Sequence, residues 1–400
     1  MGDILDNYSE ILANNSDLIK SWFDGKRKEY PIPIYGSVDV RDSGFKVGVV
    51  DSNHFPAGFN NVEDDDLPQL SKLIKKNIER THSNVSHVHI YPESHTRNPA
   101  YVENVMALRN ILQHAGYRVT VGSPTLSGYG SLDGLTGPLV LDYVFSNGET
   151  IAVRDVGVPD LVLLNNDLTE GMPLELMGQP VLPDPSMGWH KRRKSSHFRH
   201  LGMLADEICN LIGIDPWLIN PIWMVSEEKC LEKEECLKRL VIDIDDMLEK
   251  IQEKYDYYNI DETPCVFVKN DRGTYGLGII IIEKGEQLLN LSNRKLHKLT
   301  YGKGGALAEN FLIQEGIPTS ISVDNSPSEP VAYLVDGRVA SWFYRLNHKK
   351  GRFGNLNSPS AKFIRRSDTS EQNEIFRQDW YQLVAELSML AMGAENLQDS

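Results

Sequence analysis

Hydrophobic and polar positions change period several times along this chain. In NPAYVENVMALRNILQHAG (98–116), Val102, Val105, Leu108 and Leu112 recur at three- and four-residue spacing, which predicts a helix with one apolar stripe. The punctuation agrees: Asn98 is a capping residue, Pro99 suits the first turn and Gly116 closes the end. Short apolar runs predict strands at FKVGVV (45–50), VSHVHIY (85–91), YRVTVG (117–122) and PDLVLLNND (159–167). Asn147-Gly148 lies between two β-rich runs and signals a hairpin. Strand, helix and strand in succession predict a mostly parallel sheet covered by helices. Ligands bind such sheets at the strands' carboxyl ends, here the loops DSNHFPAGFNN (51–61) and NNDLTEG (165–171).

The flanking segments differ. Residues 1–30 predict a polar helix, broken by the prolines of YPIPIYG. A proline-rich connector, GQPVLPDPSMGWH (178–190), leads to a basic helix start, HKRRK (190–194). Residues 226–257 predict a charged amphipathic helix. From Thr263 the pattern is β-rich again, through PCVFVKN, GIIIIEK, NFLIQEGI and PVAYLVDGRVASWFYRLN, with Asp336-Gly337 as a second hairpin turn. A last helix over about 371–393 puts Phe376, Trp380, Leu383, Leu387 and Leu390 on one face. The organisation expected is a helical arm (1–40), an α/β domain (41–185), a helical connector (186–260) and a second domain (261–400). The class is α/β, with α+β character overall.

At 400 residues the chain exceeds a single core. A net charge of −15 argues against nucleic acid as the main partner. Four cysteines without a CxxC pair suggest neither a disulfide scaffold nor a zinc site, but reduced thiols in a cytoplasmic protein. The acidic N-terminus has no apolar h-region and no run is long enough to span a membrane, so no membrane partner is expected. His82, His87, His89 and His95 lack carboxylate or cysteine companions at metal-ligand spacing and are expected at the surface. HKRRK reads as a solvated helix start ahead of an anion site. EDDD (63–66) precedes a helix, where acidic residues need no ligand. Cys265, on a β-rich run, is expected to be packing.

The stretch FVKNDRGTYGLGIII (267–281) carries the candidate chemistry. Lys269 ends a strand, and Gly273, Gly276 and Gly278 follow in a turn that lets backbone N–H groups approach a phosphate, with Thr274 as a hydroxyl donor. A nearby ammonium serves the same phosphates as a point charge. A P-loop would place the lysine after the glycines at a helix start. Taken alone, a plain hairpin and a hairpin lid over a nucleotide stand level. Further on, FLIQEGIP (311–318) ends a strand with Gln314-Glu315, partners for an adenine amino group and a ribose. Arg345, Arg352 and Asn355 follow in YRLNHKKGRFGNLNSPSAKF.

A lysine-bearing strand, a glycine lid, a QEG hinge and an Arg…Arg-x-x-Asn region, in that order, resemble the ATP-grasp superfamily. DSNHFPAGFNN, VKNDRGTYGLGI (268–279) and GNLNSPSAKF (354–363) are more narrowly similar to the bacterial ATP-grasp type of glutamate–cysteine ligase, over most of the chain. The resemblance implies a parallel-sheet pre-ATP-grasp domain followed by an ATP-grasp fold with a β-hairpin lid. It implies that glutamate's side-chain carboxylate is activated by ATP as an acyl phosphate and joined to cysteine, the first step of glutathione biosynthesis. Implied catalytic residues are Lys269, Arg345 and Arg352. Implied ATP contacts are Lys269, Gly273, Thr274, Tyr275, Gly276, Gly278, Gln314 and Glu315. Asn53, Phe55, Asn60 and Asn61 are the implied amino-acid contacts, with plain turn formation as the competing account. Asn165 and Asn166 are weaker candidates of the same kind.

The sequence departs from the family in two places. Arg272 stands where a small residue is usual. The Glu-x-Asn metal pair expected on a strand after a late helix does not occur before Ser400. Either the Mg²⁺ ligands lie elsewhere, with Glu329, Asn355 and Asn357 as substitutes, or a C-terminal piece is missing. Three alternatives stay open: a ligase for other amino acids, an ATP-binding regulatory or scaffold protein, and a kinase that stops at the phosphorylated product. A homo-oligomer is compatible with all of them.

Overall fold

The computed structural model describes residues 4–94, 98–227, 231–272, 278–301, 308–358, 360–369 and 377–398. The chain opens with two helices, α1 (Ile4–Asn14) and α2 (Ser16–Glu29), where one was predicted. Asn15 separates them, its side chain turned back onto the Ile11 carbonyl at 2.9 Å. Strands β1 (Tyr35–Asp42) and β2 (Val47–Asn53) follow, then α3 (Leu67–Thr81), β3 (His87–Pro92), α4 (Pro99–His114) and β4 (Arg118–Val121). Two small hairpins, β5 (Ser131–Asp133) with β6 (Pro138–Val140) and β7 (Val144–Ser146) with β8 (Ile151–Val153), precede β9 (Leu161–Asn165) and β10 (Val181–Leu182). Then come α5 (Lys194–Ile212), β11 (Trp223–Ser226), α6 (Glu234–Tyr258), β12 (Val266–Asn270), β13 (Ile280–Ile282) and α7 (Asn293–Thr300). The chain continues through β14 (Phe311–Glu315), β15 (Ser322–Val323), β16 (Ser326–Val335), β17 (Arg338–Leu346), β18 (Lys362–Arg365) and α8 (Gln378–Gln398).

The fold is mixed α/β, with parallel and antiparallel sheets. The parallel sheet has the order β10-β9-β3-β4. One antiparallel sheet runs β18-β17-β16-β1-β2, with β15 on β16, and another runs β11-β14-β12-β13. The strand expected at FKVGVV as the first of the parallel sheet is β2, and it belongs to the antiparallel sheet. That sheet is joined by a long-range pairing: β1 takes β2 on one side and β16, nearly 300 residues later, on the other. An apolar run states that a strand is buried, not which strand it will pair with.

The helices cover these sheets as their periodicity dictates. Asn98 caps α4 by accepting from Ala100 N, and Gly116 follows the helix with φ +96°, a conformation open to glycine. α6 starts later than predicted and buries Leu240, Ile244, Met247, Leu248, Ile251 and Tyr255. α8 packs between α5 and the β1–β2–β16–β17 face and is buried on nearly every side from Leu383 to Ala394. Its single predicted stripe therefore understates its burial. Phe376 lies outside the described residues.

Two side chains on β3 correct an expectation. His87 and His89 do share a strand face, but both are buried, with Thr120 Oγ1 between them at 2.7 and 2.8 Å. His89 Nε2 also reaches the Gly122 carbonyl oxygen at 2.9 Å. Burial lowers its pKa to about 4, so it is a neutral core imidazole.

Candidate active site

Lys269 sits at the end of β12, diagonal to Gln314 on β14, so both side chains emerge on one face. Its Nζ donates to Gln314 Oε1 at 2.6 Å and to the Val50 carbonyl at 3.0 Å. Both acceptors are neutral. Burial pushes this ammonium down to about 8, with Asp51 working in the opposite direction. β12 and β13 pair antiparallel, so the hairpin around the glycine loop is present. Gly273, Thr274, Tyr275 and Gly276 lie outside the described residues. At Gly278, φ is +70° and a Cβ would lie 2.4 Å from the Lys298 carbonyl oxygen, so only glycine allows this approach to α7.

Asp271 fixes the loop's entry. Its backbone carbonyl accepts from Lys194 N at 3.1 Å, and its carboxylate accepts from Ser195 N and Ser195 Oγ, each at 2.8 Å. It thus caps α5 from another segment. The HKRRK run around that helix start is not a solvated face. Lys194 is buried and pairs with Asp51 at 2.6 Å, and Arg192 is buried between Glu395 and Ser52. Arg192 donates to both the carbonyl and the hydroxyl of Ser52, so it braces the end of β2 between Asp51 and Asn53.

A second charged group gathers on the adjoining sheet. Glu329 on β16 has both carboxylate oxygens occupied: Oε1 by Arg345 Nη1 at 2.9 Å and Oε2 by Arg41 Nε at 2.5 Å. Burial opposes its charge, but the two guanidiniums outweigh that and hold it below the usual carboxylate range. Arg345 Nη1 also donates to Asp39 Oδ2, while its buried Nε has no partner. Asp39 is driven upward by burial and by Glu329, against the pull of Arg345. At Asp51 burial is overcome by Lys194 and Lys269, which bring it down to about 2.

These residues face connected cavities. One is lined by Lys269, Phe267, Val50, Ile279, Asp39 and Asp51, together with Arg41, Glu329, Asn355 and Asn357. A second, of about 510 Å³, shares Asp39, Asp51 and Asn357 with it and adds Asn53, Trp189 and Arg345. The third, of about 780 Å³, shares Asn53, Asn357 and Arg345 with the second and reaches Phe55, Tyr101, Asn165 and Tyr333. Lys269, Arg345, Asn53 and Phe55, far apart in sequence, therefore line one continuous cleft.

Other predicted residues are placed elsewhere. Arg352 pairs with Glu262 at the surface at 2.7 Å and lines none of these cavities. Glu315 is fully buried; its carboxylate accepts from Lys46 Nζ at 2.7 Å, Ile222 N at 2.8 Å and Trp217 Nε1 at 3.2 Å, a structural set that turns it from the cleft. Gln314 accepts from Lys269 and lines none of these cavities. Asn60 and Asn61 lie on a short 3-10 turn, outside the cavity walls. Asn355 Oδ1 accepts from Asn357 N, closing a turn beside the first cavity. Of the metal trio, Glu329 is engaged by two arginines, and it lines the first cavity together with Asn355 and Asn357. Among the described residues no group of three or more His, Cys, Asp or Glu side chains is placed to hold a metal ion. Asn165, a weak candidate, links the strand end to the loop by donating to the Pro56 carbonyl at 2.9 Å. Asp39 and Arg41 lie in no motif of the sequence. The alternation Val38-Asp39-Val40-Arg41 was the available signal, since it sets both charged residues on one face of a strand.

The family model described as "GshA: Glutamate-cysteine ligase" matches residues 9–396. A crystal structure from Methylobacillus flagellatus KT, provisionally named gamma-glutamylcysteine synthetase, is 31% identical with a TM-score of 0.90, covering 100% of this chain and 97% of that one. D-alanyl-alanine synthetase A from Vibrio cholerae O1 biovar eltor is 13% identical with a TM-score of 0.37, covering 78% of this chain and 82% of that one. A glutathione synthetase-like effector from Globodera pallida is 9% identical with a TM-score of 0.37, covering 91% and 85%. The curated proteins hold no match.

Proposed function

This chain belongs to the glutamate–cysteine ligase family, and on that premise we propose how its cleft performs the ATP-dependent joining of glutamate to cysteine. The observation that carries the proposal is the continuity of the cleft. Lys269 lines the first cavity, Arg345 the adjoining two, and Asp39 and Asp51 the passage between. Two antiparallel sheets contribute these walls, β12 from one and β1, β2, β16 and β17 from the other, which supports an ATP-grasp reading of the fold.

ATP fits the first cavity by its chemistry. Val50, Phe267 and Ile279 offer apolar walls, and Lys269 offers a buried ammonium with only neutral acceptors, which gains from an anionic phosphate. The glycine loop would lie over the phosphates. Glutamate occupies the larger cavities, where Asn53 and Asn357 supply polar contacts and Phe55 an apolar one. Its side-chain carboxylate attacks the γ-phosphorus of ATP, releasing ADP and leaving an acyl phosphate. The cysteine nitrogen then attacks the acyl carbon and phosphate departs.

Arg345 suits the moving charge: its guanidinium lines both larger cavities and is held by Asp39 and Glu329, a preorganised cation beside the place where an oxyanion would develop. Mg²⁺ belongs to this reading as an ion arriving on the ATP phosphates. The described residues build no cage for it, and no step is assigned to it. The free thiols of Cys209, Cys236 and Cys265 support a cytoplasmic location. The test is ADP release from Mg-ATP and glutamate, with and without cysteine, followed by product mass. Cysteine-dependent release with a γ-glutamylcysteine mass is the expected result; ADP release without any amide product would favour the kinase alternative instead.

A further inference from the structure

The third cavity, at about 780 Å³, is the size of a site for a drug-sized ligand and exceeds what glutamate alone requires. Its walls divide by chemistry. At one end Glu93, Tyr101, Asn165 and Asp167 form one hydrogen-bonded group. Glu93 Oε1 accepts from Asp167 N at 2.6 Å, and Tyr101 Oη accepts from Glu93 N and donates to the Asn165 carbonyl. The other end is a face of the antiparallel sheet. Register sets Phe363 on β18 directly opposite Arg345 on β17, and Phe343, two residues from Arg345, opposite Val331 on β16. Cross-strand partners, and residues two apart on a strand, share a face. The Phe363 ring meets the Phe343 ring edge-on at 5.8 Å, and the Arg345 guanidinium lies 5.6 Å from the Phe363 ring centre.

We propose that Phe363 determines specificity for the amine substrate, its ring seating the thiol-bearing side chain of cysteine beside Arg345. This deepens the ligase reading and rests on it.

Position, exposure and chemistry separate this seat from that of glutamate. The amine attacks only after glutamate has been phosphorylated, so its seat has to stay open while ATP and glutamate are bound. Phe363 is on the edge strand of its sheet and is 46% exposed, whereas its neighbours Val331 and Phe343 are buried. Arg345 is the only cation among the described residues lining this cavity, so an amino acid on the Phe363 ring has its nitrogen next to the place where the oxyanion develops. A polarisable sulfur gains from contact with aromatic rings. Val331, Phe343 and Phe363 carry no hydrogen-bonding side-chain group, so the hydroxyl of a serine in the same seat goes unpaired. The ammonium head of glutamate matches the opposite end, where the Glu93 and Asp167 carboxylates stand.

The test is steady-state kinetics of Phe363→Ala with ATP, glutamate and three amines: cysteine, 2-aminobutyrate and norvaline. The side chain is half-exposed, so the variant is expected to fold. KM for cysteine should rise roughly 2- to 10-fold, the worth of a sulfur–aromatic contact. KM for glutamate and for ATP should stay at the wild-type values. Discrimination between 2-aminobutyrate and norvaline, which differ by one methylene, should shrink about tenfold as the wall recedes. Phe363→Leu keeps an apolar wall and should recover part of the affinity for cysteine. An unchanged KM for cysteine, unchanged discrimination between the amines, or a rise in KM for glutamate or ATP equal to that for cysteine would each overturn the assignment. Wild-type protein that forms no amide with cysteine overturns the ligase reading itself, and the seat with it.

Discussion

Lys269 and Gln314 stand 2.6 Å apart, ammonium to side-chain carbonyl, across adjacent strands of one sheet. Gln314 Nε2 in turn donates to the Val49 carbonyl at 3.2 Å, and Lys269 reaches the Val50 carbonyl. The pair therefore ties β14 and β12 to β2, so the two antiparallel sheets meet at the lysine. That aims the ammonium into the cavity with no acidic hydrogen-bond partner.

Lys269→Ala removes that charge. A hydrogen bond to a charged group is worth about 1.5–3 kcal/mol, so ATP affinity should fall by roughly 10- to 100-fold. Calorimetric titration with ATP checks this. Unchanged affinity would remove Lys269 from the nucleotide site.

Arg345→Ala tests the opposite end of the proposed chemistry. Losing one preorganised donor typically costs about 10²–10³ in turnover, and ATP binding should persist. The variant should also be less stable, because Asp39 and Glu329 both lose a hydrogen-bonded cation; breaking a buried pair costs about 3–5 kcal/mol. Turnover must therefore be expressed per folded molecule. Normal turnover on that basis takes Arg345 out of the reaction.

The sequence made the local parts of this site legible and hid the long-range ones. Lys269 before its glycines, the 51–61 loop and Arg345 on a β-rich run are contiguous signals, and the structure brings Lys269, Asn53, Phe55 and Arg345 to one cleft. Asp39 and Arg41 stand in no motif, and alternating charge on a strand normally marks a solvated face. Here β1 is central in its sheet and both faces are buried, so those charges point inward. HKRRK misled for the same reason: its partners, Asp51 and Glu395, are more than 140 residues away in sequence. Glu315 looked like a ligand contact beside Gln314, but neighbours on a strand face opposite ways, and its face meets Lys46.

Buried histidines set an acid limit on stability. His54 is lowered to about 4 by burial and then by Arg192, and His89 to about 4 by burial. Unfolded imidazoles bind protons below about 6.5. Between those values the unfolded chain holds more protons, so acid favours unfolding. The contribution is intact above about pH 6.5, shrinks as pH falls and is gone near pH 4. Each histidine accounts for about 3 kcal/mol across that window. Urea midpoints should drop between pH 7.5 and pH 5. His54→Leu should reduce the drop, since it removes an imidazole whose two nitrogens are buried without hydrogen bonds. A midpoint that does not move with pH would count against neutral buried histidines.

Asp271 should couple the glycine loop to α5. Its carboxylate caps Ser195 N and Oγ, its carbonyl accepts from Lys194 N, and its own N–H donates to the Asn310 carbonyl at 3.2 Å. The residue thus fixes the loop's first turn against the helix whose Lys194 holds Asp51 at the cleft. Asp271→Ala loses the cap, at a cost of about 0.5–2 kcal/mol. It also frees the loop's entry, so KM for ATP should rise several-fold while kcat changes less, because no reacting atom is touched. Asp271→Asn keeps one acceptor oxygen and should lie between wild type and Asp271→Ala in both readouts. A stability loss with ATP kinetics unchanged in Asp271→Ala would mean that the clasp supports the helix alone.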